Sequence, residues 1–501
     1  MELKAVLMIM VTLLLSCVLT LAFDVQEIRT GSSESAVTEW NRMRARGEYN
    51  MRDAGTVAKY FGRITEPAKY LVDGDVATTI SLTHSLGRKL LYANGRYWLF
   101  YSDGPDVVFR TSVDGQSWGS KAILKEEAQG WCVYLWHEFR EGINYLHYGF
   151  SPEWFGEGVY YRRGVMNADG TIAWSADEQL AVVGIPGVVG GFWGVVPDSE
   201  GYPFILYGWY TTTHPWETIH VYVTKSDYNN GTWVTSSDFP KAVYNATVNF
   251  RISAQIVPLT DQKMYMVYCP MRYYGTSDLP VQGRLWNGSA LLGAEDISSG
   301  YQTSNLAFSI ISQNDDVYLV YERELTSREL IFRRRHGGVW EPEEIVAPLV
   351  NYESFFTCSI SPGGRFHVFW LEENVMHVVR APDGSWSDID YPFGESFNFL
   401  SGDGKDNVAC IPYVNSGTIV VAWLERNGSP YTLYSGVLVR TLEGDVNDDG
   451  VVDASDLSYL SKAYGSKPGD ENWNPDCDLN WDHIVDASDL FTMIENYGKT
   501  I

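Results

Sequence analysis

One pattern governs what most of this chain can fold into. Between residues 84 and 440 a phrase of polar turn, apolar run and closing Tyr or Trp returns seven times. The copies are Gly95-Arg-Tyr-Trp-Leu-Phe-Tyr101, Gly142-Ile-Asn-Tyr-Leu-His-Tyr148, Gly201-Tyr-Pro-Phe-Ile-Leu-Tyr207 and Lys263-Met-Tyr-Met-Val-Tyr268. They continue as Asp316-Val-Tyr-Leu-Val-Tyr321, Arg365-Phe-His-Val-Phe-Trp370 and Thr418-Ile-Val-Val-Ala-Trp423, spaced by roughly 45 to 60 residues. Runs this rich in aromatic and β-branched residues, punctuated by Gly-containing turns, are strands, and the segment reads as all-β.

A second signal follows most copies: a tight polar turn that closes on Trp. It reads Ser112-Val-Asp114-Gly115-Gln-Ser-Trp118, Asp169-Gly170-Thr-Ile-Ala-Trp174, Asn230-Gly231-Thr-Trp233, Gly337-Gly338-Val-Trp340 and Asp383-Gly384-Ser-Trp386, while the fourth unit keeps Trp286-Asn287-Gly288. Asp-Gly and Asn-Gly accept the positive backbone angles of a hairpin turn. A sandwich of ordinary hairpins has no reason for so long a period. Four strands per period indicate the blades of a seven-bladed β-propeller over 84–441. The last unit lacks an outer strand, so the segment 23–83 is expected to complete it. Within that segment Ser35–Arg46 reads as helical and Thr78–Leu82 as strand-like. The turn Ser112–Trp118 resembles the Asp-box (BNR) repeat of sialidase-like propellers. In that family the box is structural and lies away from the active site. The Arg-Ile-Pro of sialidases has no counterpart here, since Arg63 is followed by Ile-Thr and Arg251 lies mid-chain in Phe-Arg-Ile-Ser. The resemblance therefore implies a fold and not that chemistry.

In such a fold the connections between second and third strands gather on one face, and here they are unusual. They carry Glu153-Trp154-Phe155, Trp209-Tyr210 with Trp216-Glu217, Arg272-Tyr273-Tyr274, and Glu322-Arg323-Glu324. Aromatic faces stack on sugar rings while carboxylates and Arg hydrogen-bond hydroxyls. Trp154, Phe155, Trp209, Tyr210, Trp216, Arg272, Tyr273 and Tyr274 are thus the candidate glycan contacts. Glycoside hydrolysis uses two carboxylates about 5–9.5 Å apart, for which Glu153, Glu217, Glu322 and Glu324 are candidates. No spacing selects a pair among them. A polysaccharide lyase, with His137 or His147 as base, is the second enzymatic reading. A non-catalytic glycan- or protein-binding platform is the alternative to both.

The last sixty or so residues write one unit twice. Asp445, Asn447, Asp449, Val451, Asp453 and Asp456 are matched 33 residues later by Asp478, Asn480, Asp482, Ile484, Asp486 and Asp489. Side-chain oxygens fall at positions 1, 3, 5, 9 and 12 of a twelve-residue loop, with a backbone carbonyl at position 7. A hard cation such as Ca²⁺ needs this spacing, so two ions are expected. Eleven of 21 positions are identical between 445–465 and 478–498. Position 12 is Asp where the EF-hand loop has Glu, and His483 stands where Gly is usual. One helix follows each loop (about 454–464 and 487–497), stopped by Tyr464-Gly465 and Tyr497-Gly498. A loop-helix pair with Asp at position 12 and no entering helix resembles a dockerin domain, here over 444–499. That resemblance implies a cohesin-bearing partner, with loop positions 10 and 11 (Ala454-Ser455 and Ala487-Ser488) helping to choose it.

Residues 1–22 combine Lys4, an apolar run and small residues before Phe23, which reads as a signal peptide or membrane anchor. An exported, extracellular or cell-surface protein is expected. The net charge of −26 and the absence of a basic cluster argue against nucleic acid as a partner. Of the six cysteines, five follow the first segment (Cys132, Cys269, Cys358, Cys410 and Cys477) without metal or disulfide spacing, and the first four sit in or beside apolar runs.

Overall fold

The computed structural model describes residues 69–78, 82, 88–128, 132–152, 158–184, 188–211, 219–246, 250–272, 280–298, 308–324, 327–349, 356–361, 364–372, 374–382, 384–393, 408–414, 418–425, 429–439, 444–447, 451–467, 470, 472–474, 477–479 and 484–499. The reading of residues 1–22 and the helix expected at Ser35–Arg46 lie outside them. No helix among the described residues is long and apolar enough to cross a membrane.

Seven antiparallel sheets follow one another along the chain, at 90–125, 133–183, 188–246, 250–296, 308–348, 356–380 and 408–439. The innermost strands are Leu90–Ala93, Val133–Arg140, Val188–Pro197, Phe250–Pro258, Phe308–Gln313, Phe356–Ile360 and Val408–Cys410. Each touches the next, and the last touches the first, so the ring is closed. This is a seven-bladed β-propeller.

The repeated phrase is the second strand of each blade. Arg96–Asp103 and Thr418–Glu425 are buried along almost their whole length because neighbouring blades cover both faces. That explains the continuous apolar runs. Outer strands such as Leu291–Asp296 are largely exposed and mixed in character. Tight turns join inner to second strands: Asn94 and Gly95 (φ +52° and +74°) and Glu141 and Gly142 (φ +54° and +77°) each place both residues left-handed. Such a turn matches the strand twist, and Asn and Gly bear that conformation cheaply.

The turn tryptophans do more than cap hairpins, for several clamp a blade to the one before it. Trp118 Nε1 donates to Ser435 Oγ of the seventh blade (2.8 Å). Trp233 packs on Tyr161 of the second, ring centroids 5.3 Å apart. Trp340 Nε1 donates to the Tyr265 hydroxyl of the fourth (3.0 Å). Trp386 Nε1 donates to Glu344 of the fifth (2.8 Å).

The ring closes with a strand from the start of the described chain. Lys69–Val76 pairs antiparallel with Tyr431–Val439 as the outer strand of the seventh blade. The strand ends at Val76, so the reading of Thr78–Leu82 as a strand is corrected: Thr78 lies beyond the pairing, Leu82 sits in a turn, and 79–81 lie outside the described residues. Asp73 in this strand reaches the first blade. It accepts from the Tyr101 hydroxyl (2.6 Å) and pairs with Lys121 (3.0 Å) and Arg110 (3.3 Å).

Beyond the propeller lie two helices, α1 (Ala454–Ala463) and α2 (Ala487–Asn496). Their core is Val446, Val452, Leu460, Ala463, Cys477, Val485 and Met493. The five cysteines among the described residues, Cys132, Cys269, Cys358, Cys410 and Cys477, are all buried.

Candidate functional site

The C-terminal module is built from two halves that complete each other. Asp453 and Asp486, at loop position 9, are the N-caps, accepting from the Ser455 and Ser488 amides (2.6 and 2.7 Å). Position 12 is the anchor. Asp456 is fully buried, its Oδ1 accepting from the Asn447 amide (2.9 Å) and its Oδ2 from the Asp453 amide (2.8 Å). Asp489, equally buried, accepts from the Leu479 and Asp486 amides (2.6 and 2.7 Å). A short carboxylate suits this task, since both oxygens must turn back into the loop it closes. Position 8 ties the halves together. Val452 exchanges hydrogen bonds with Gly498 and Lys499 after α2 (2.7 and 3.1 Å), and Val485 with Gly465 and Ser466 after α1 (2.7 and 3.0 Å). Gly465 and Gly498 both stand at φ +81°, the left-handed step that lets each chain leave its helix and make that pairing.

Asp445, Asn447, Val451, Asp453, Asp456, Asp478, Ile484, Asp486 and Asp489 are among the described residues, whereas Asp449, Asn480 and Asp482 lie outside them. Asp445, Asp456, Asp478 and Asp489 are all buried. Ala454, Ser455, Ala487 and Ser488 are exposed at the starts of the two helices.

At the propeller axis each innermost strand, or the residues leading into it, lines a narrow cavity with room for a few water molecules. Its wall includes Arg88, Lys89, Tyr134, Trp136, Trp193 and Gln255. Each inner strand starts at the end where the chain arrives from the preceding blade. Antiparallel order puts the connection between second and third strands at that same end. Arg88 and Lys89, just ahead of Leu90, therefore sit toward the face expected to carry the ligand. The Arg88 guanidinium lies over the Trp136 ring, 4.0 Å from its centroid. Lys89 is buried and donates to the Val133 carbonyl (2.8 Å), and burial lowers its amine to about 7. Cys358, on the same wall, is raised to about 11 by burial and is a thiol rather than a nucleophile.

The candidate glycan and catalytic residues fall unevenly. Glu153, Trp154, Phe155, Trp216, Glu217, Tyr273 and Tyr274 lie outside the described residues. The backbones of Arg272 and Glu324 end the second strands of the fourth and fifth blades, that of Tyr210 lies one residue before the end of the third blade's, and the side chains of all three lie outside the described part. Trp209 is partly exposed and stacked on Tyr222, centroids 4.6 Å apart at 15°. Glu322 is buried and ion-paired with Arg328 (3.1 Å), which makes it an internal charge rather than one facing a ligand. His147 is buried within the second blade between Glu138 (2.8 Å) and the Tyr161 hydroxyl (3.1 Å). His137 bonds Asn144 (2.8 Å). The axial pair Arg88-Lys89 escaped sequence reasoning. Its one signal was two adjacent cations opening a strand in a strongly acidic chain.

Residues 443–497 match the model of the dockerin type I domain. The C-terminal module is a type I dockerin. A type I dockerin implies a cohesin partner and, in general, calcium as its metal. The residues fit that ion: every side-chain donor is an oxygen, and four carboxylates are buried where a bare charge would cost several kcal/mol. Calcium would supply the positive charge at the centre of each dockerin loop. No curated protein matches the chain. Among solved structures it is similar to the polysaccharide lyase Uly1, at 9% identity and a TM-score of 0.43 over 77% of this chain and 95% of that one. It is also similar to an α-L-arabinanase of Penicillium chrysogenum, at 12% and 0.35 over 74% and 99%. A third is an endo-arabinase from Bacteroides thetaiotaomicron VPI-5482, at 14% and 0.30 over 56% and 98%. These likenesses are too distant to bear on chemistry.

Proposed function

We propose that this is an exported, glycan-binding propeller held in a multiprotein complex by its dockerin, with one Ca²⁺ in each loop. The observation that carries the reading is the joining of a type I dockerin to a propeller whose axial cavity is walled in part by Trp136, Trp193 and Arg88. A small cavity walled by buried aromatic rings with a cation among them suits a polar substituent of a glycan whose ring rests at the mouth. Degradation of the glycan, by hydrolysis through carboxylates of the connecting segments or by a lyase, remains part of this reading. The buried Glu322–Arg328 pair favours the non-catalytic platform as the second reading, because it removes one of the four candidate acids from the ligand's reach. A polysaccharide panel separates them: release of reducing ends or unsaturated sugars means an enzyme, and binding without products means a platform.

The cohesin contact would use the helix that carries the apolar strip. Ala487, Phe491 and Ile494 are all exposed at i, i+4 and i+7 of α2, the latter two at 68% and 42%. The corresponding positions of α1 after Ala454 are Ser458 and Ser461, also exposed. Apolar anchors in the centre of an interface supply most of its affinity. Phe491→Ala with Ile494→Ala should weaken binding to an immobilised cohesin at least tenfold, while Ser458→Ala with Ser461→Ala leaves it within twofold. The opposite pattern, read by surface plasmon resonance, would assign docking to α1.

A further inference from the structure

We propose that the axial cavity of the propeller binds an anionic group, the carboxylate or sulfate ester of an acidic glycan, with Arg88 as its principal contact and Lys89 beside it. The inference rests on the glycan reading above and adds the charge of the substrate.

Charge is the first argument. The chain holds 63 acidic and 37 basic residues, yet among the described residues that line the cavity two are cations, adjacent in sequence, and none is acidic. A cation pair in a half-enclosed, low-dielectric space attracts an anion far more strongly than the same pair in water. Geometry is the second. The Arg88 guanidinium carbon lies over the Trp136 ring, 4.0 Å from its centroid, with Tyr413 a hydrogen-bonding neighbour and Nη2 3.4 Å from the Ile310 carbonyl. Stacking uses the face of the guanidinium and leaves its N–H donors directed along its edge, the arrangement that recognises the planar oxygens of a carboxylate or the edge of a sulfate. Gln255 spends its Oε1 on the Ile310 amide (3.1 Å), which turns the donor end of its side chain the other way. Arg88 also stands at φ +46°, a left-handed backbone in a non-glycine residue. Strain of this kind persists where the surroundings hold a residue in place, often at ligand clamps. Size is the third. A space for a few waters takes an anionic substituent and excludes a sugar ring, so the ring would rest at the mouth. Burial keeps Lys89 near half-charged at neutral pH, and an anion beside it would draw it fully to the ammonium.

The experiment is isothermal titration of the full chain with two matched probe pairs. One pair is oligogalacturonate and its methyl ester, and the other is a sulfated galactan oligosaccharide and its desulfated form. The expected result is at least tenfold tighter binding of one charged member than of its neutral partner, which also identifies carboxylate or sulfate as the group. Arg88→Met should abolish that preference and Arg88→Lys should keep part of it, each with a melting temperature near that of the parent. Equal binding of charged and neutral members, or a preference that survives Arg88→Met in the folded variant, overturns the proposal and leaves the glycan reading standing. Binding of none of the four probes overturns both. Should Arg88→Met fail to fold, competition by inorganic sulfate against the charged probe replaces it, and no competition refutes the site.

Discussion

Asp456 offers the sharpest test of how the dockerin holds itself together. The carboxylate is fully buried and closes its loop by accepting from the Asn447 amide at 2.9 Å and the Asp453 amide at 2.8 Å. A hydrogen bond to a charged group contributes about 1.5–3 kcal/mol, so Asp456→Ala removes roughly 3–6 kcal/mol before any loss of metal binding is counted. A module of this size holds only about 3–8 kcal/mol in total at 0.05–0.15 kcal/mol per residue. The substitution should therefore unfold most of the module. Both halves should go together, because Val452 is bonded to Gly498 and Lys499 after α2 while Val485 is bonded to Gly465 and Ser466 after α1. Hydrogen–deuterium exchange of the full chain reads this directly. Amides of α1 and α2 should exchange at least a hundredfold faster in Asp456→Ala than in the parent, with added Ca²⁺ failing to restore them. Strand Thr418–Glu425 of the propeller should be unchanged. Loss of protection confined to α1, with α2 intact, would refute the interlocked arrangement. Protection unchanged within threefold in both helices would refute the anchor itself.

Two further outcomes concern the propeller. Glu322→Gln should lower the denaturation midpoint, since it leaves the charge of Arg328 buried beside a neutral amide, a loss of about 3–5 kcal/mol, while glycan affinity per folded molecule stays the same. Lost turnover at unchanged stability would return Glu322 to the catalytic candidates. Burial alone would raise the Asp73 carboxyl, but hydrogen bonds from Tyr101 and Lys121 and the charge of Arg110 hold it below its ordinary value. Its stabilisation is present above the unfolded-chain value near 4 and is lost as pH falls through the lower folded value. Asp73→Asn should flatten that acid limb and speed exchange in Tyr431–Val439, and an unaltered pH–stability curve would remove Asp73 from the closure.

The repeat was legible because blades bury the second strand on both faces, so each copy became a continuous apolar run in a fixed frame. The dockerin was legible because its unit is written twice, with oxygen-bearing side chains at the same fixed spacing in both copies. The closing strand was harder to read. Lys69–Val76 pairs through two register shifts, and its burial runs exposed and buried without alternation, so no period marks it. The clamp made by each turn Trp was invisible for a different reason. Its partner lies on another blade, from 42 residues away for Trp386 and Glu344 to 317 for Trp118 and Ser435, and has no local trace. Arg88 and Lys89 were missed because a cation pair at the head of a strand ordinarily marks solvent. Only the closed ring turns that position inward.

The dockerin's duplication shows where its two halves were free to differ. Among the positions that agree between them are those that close the fold: Asp456 and Asp489, the N-caps Asp453 and Asp486, the bridging Val452 and Val485, and the Tyr-Gly helix stops. Several positions that disagree face outward, as with Ser458 against Phe491 and Ser461 against Ile494, while Leu460 against Met493 is a conservative apolar exchange inside the core. Each half needs the other's tail to satisfy its own backbone, so a change on the inside of one half destabilises both. A change outside costs the fold almost nothing and alters only what the helix can touch. Two helices with the same caps and the same first-turn Ala-Ser can thus share one folding solution and still present different surfaces. For that reason partner choice should be tunable on α2 without loss of calcium-dependent stability.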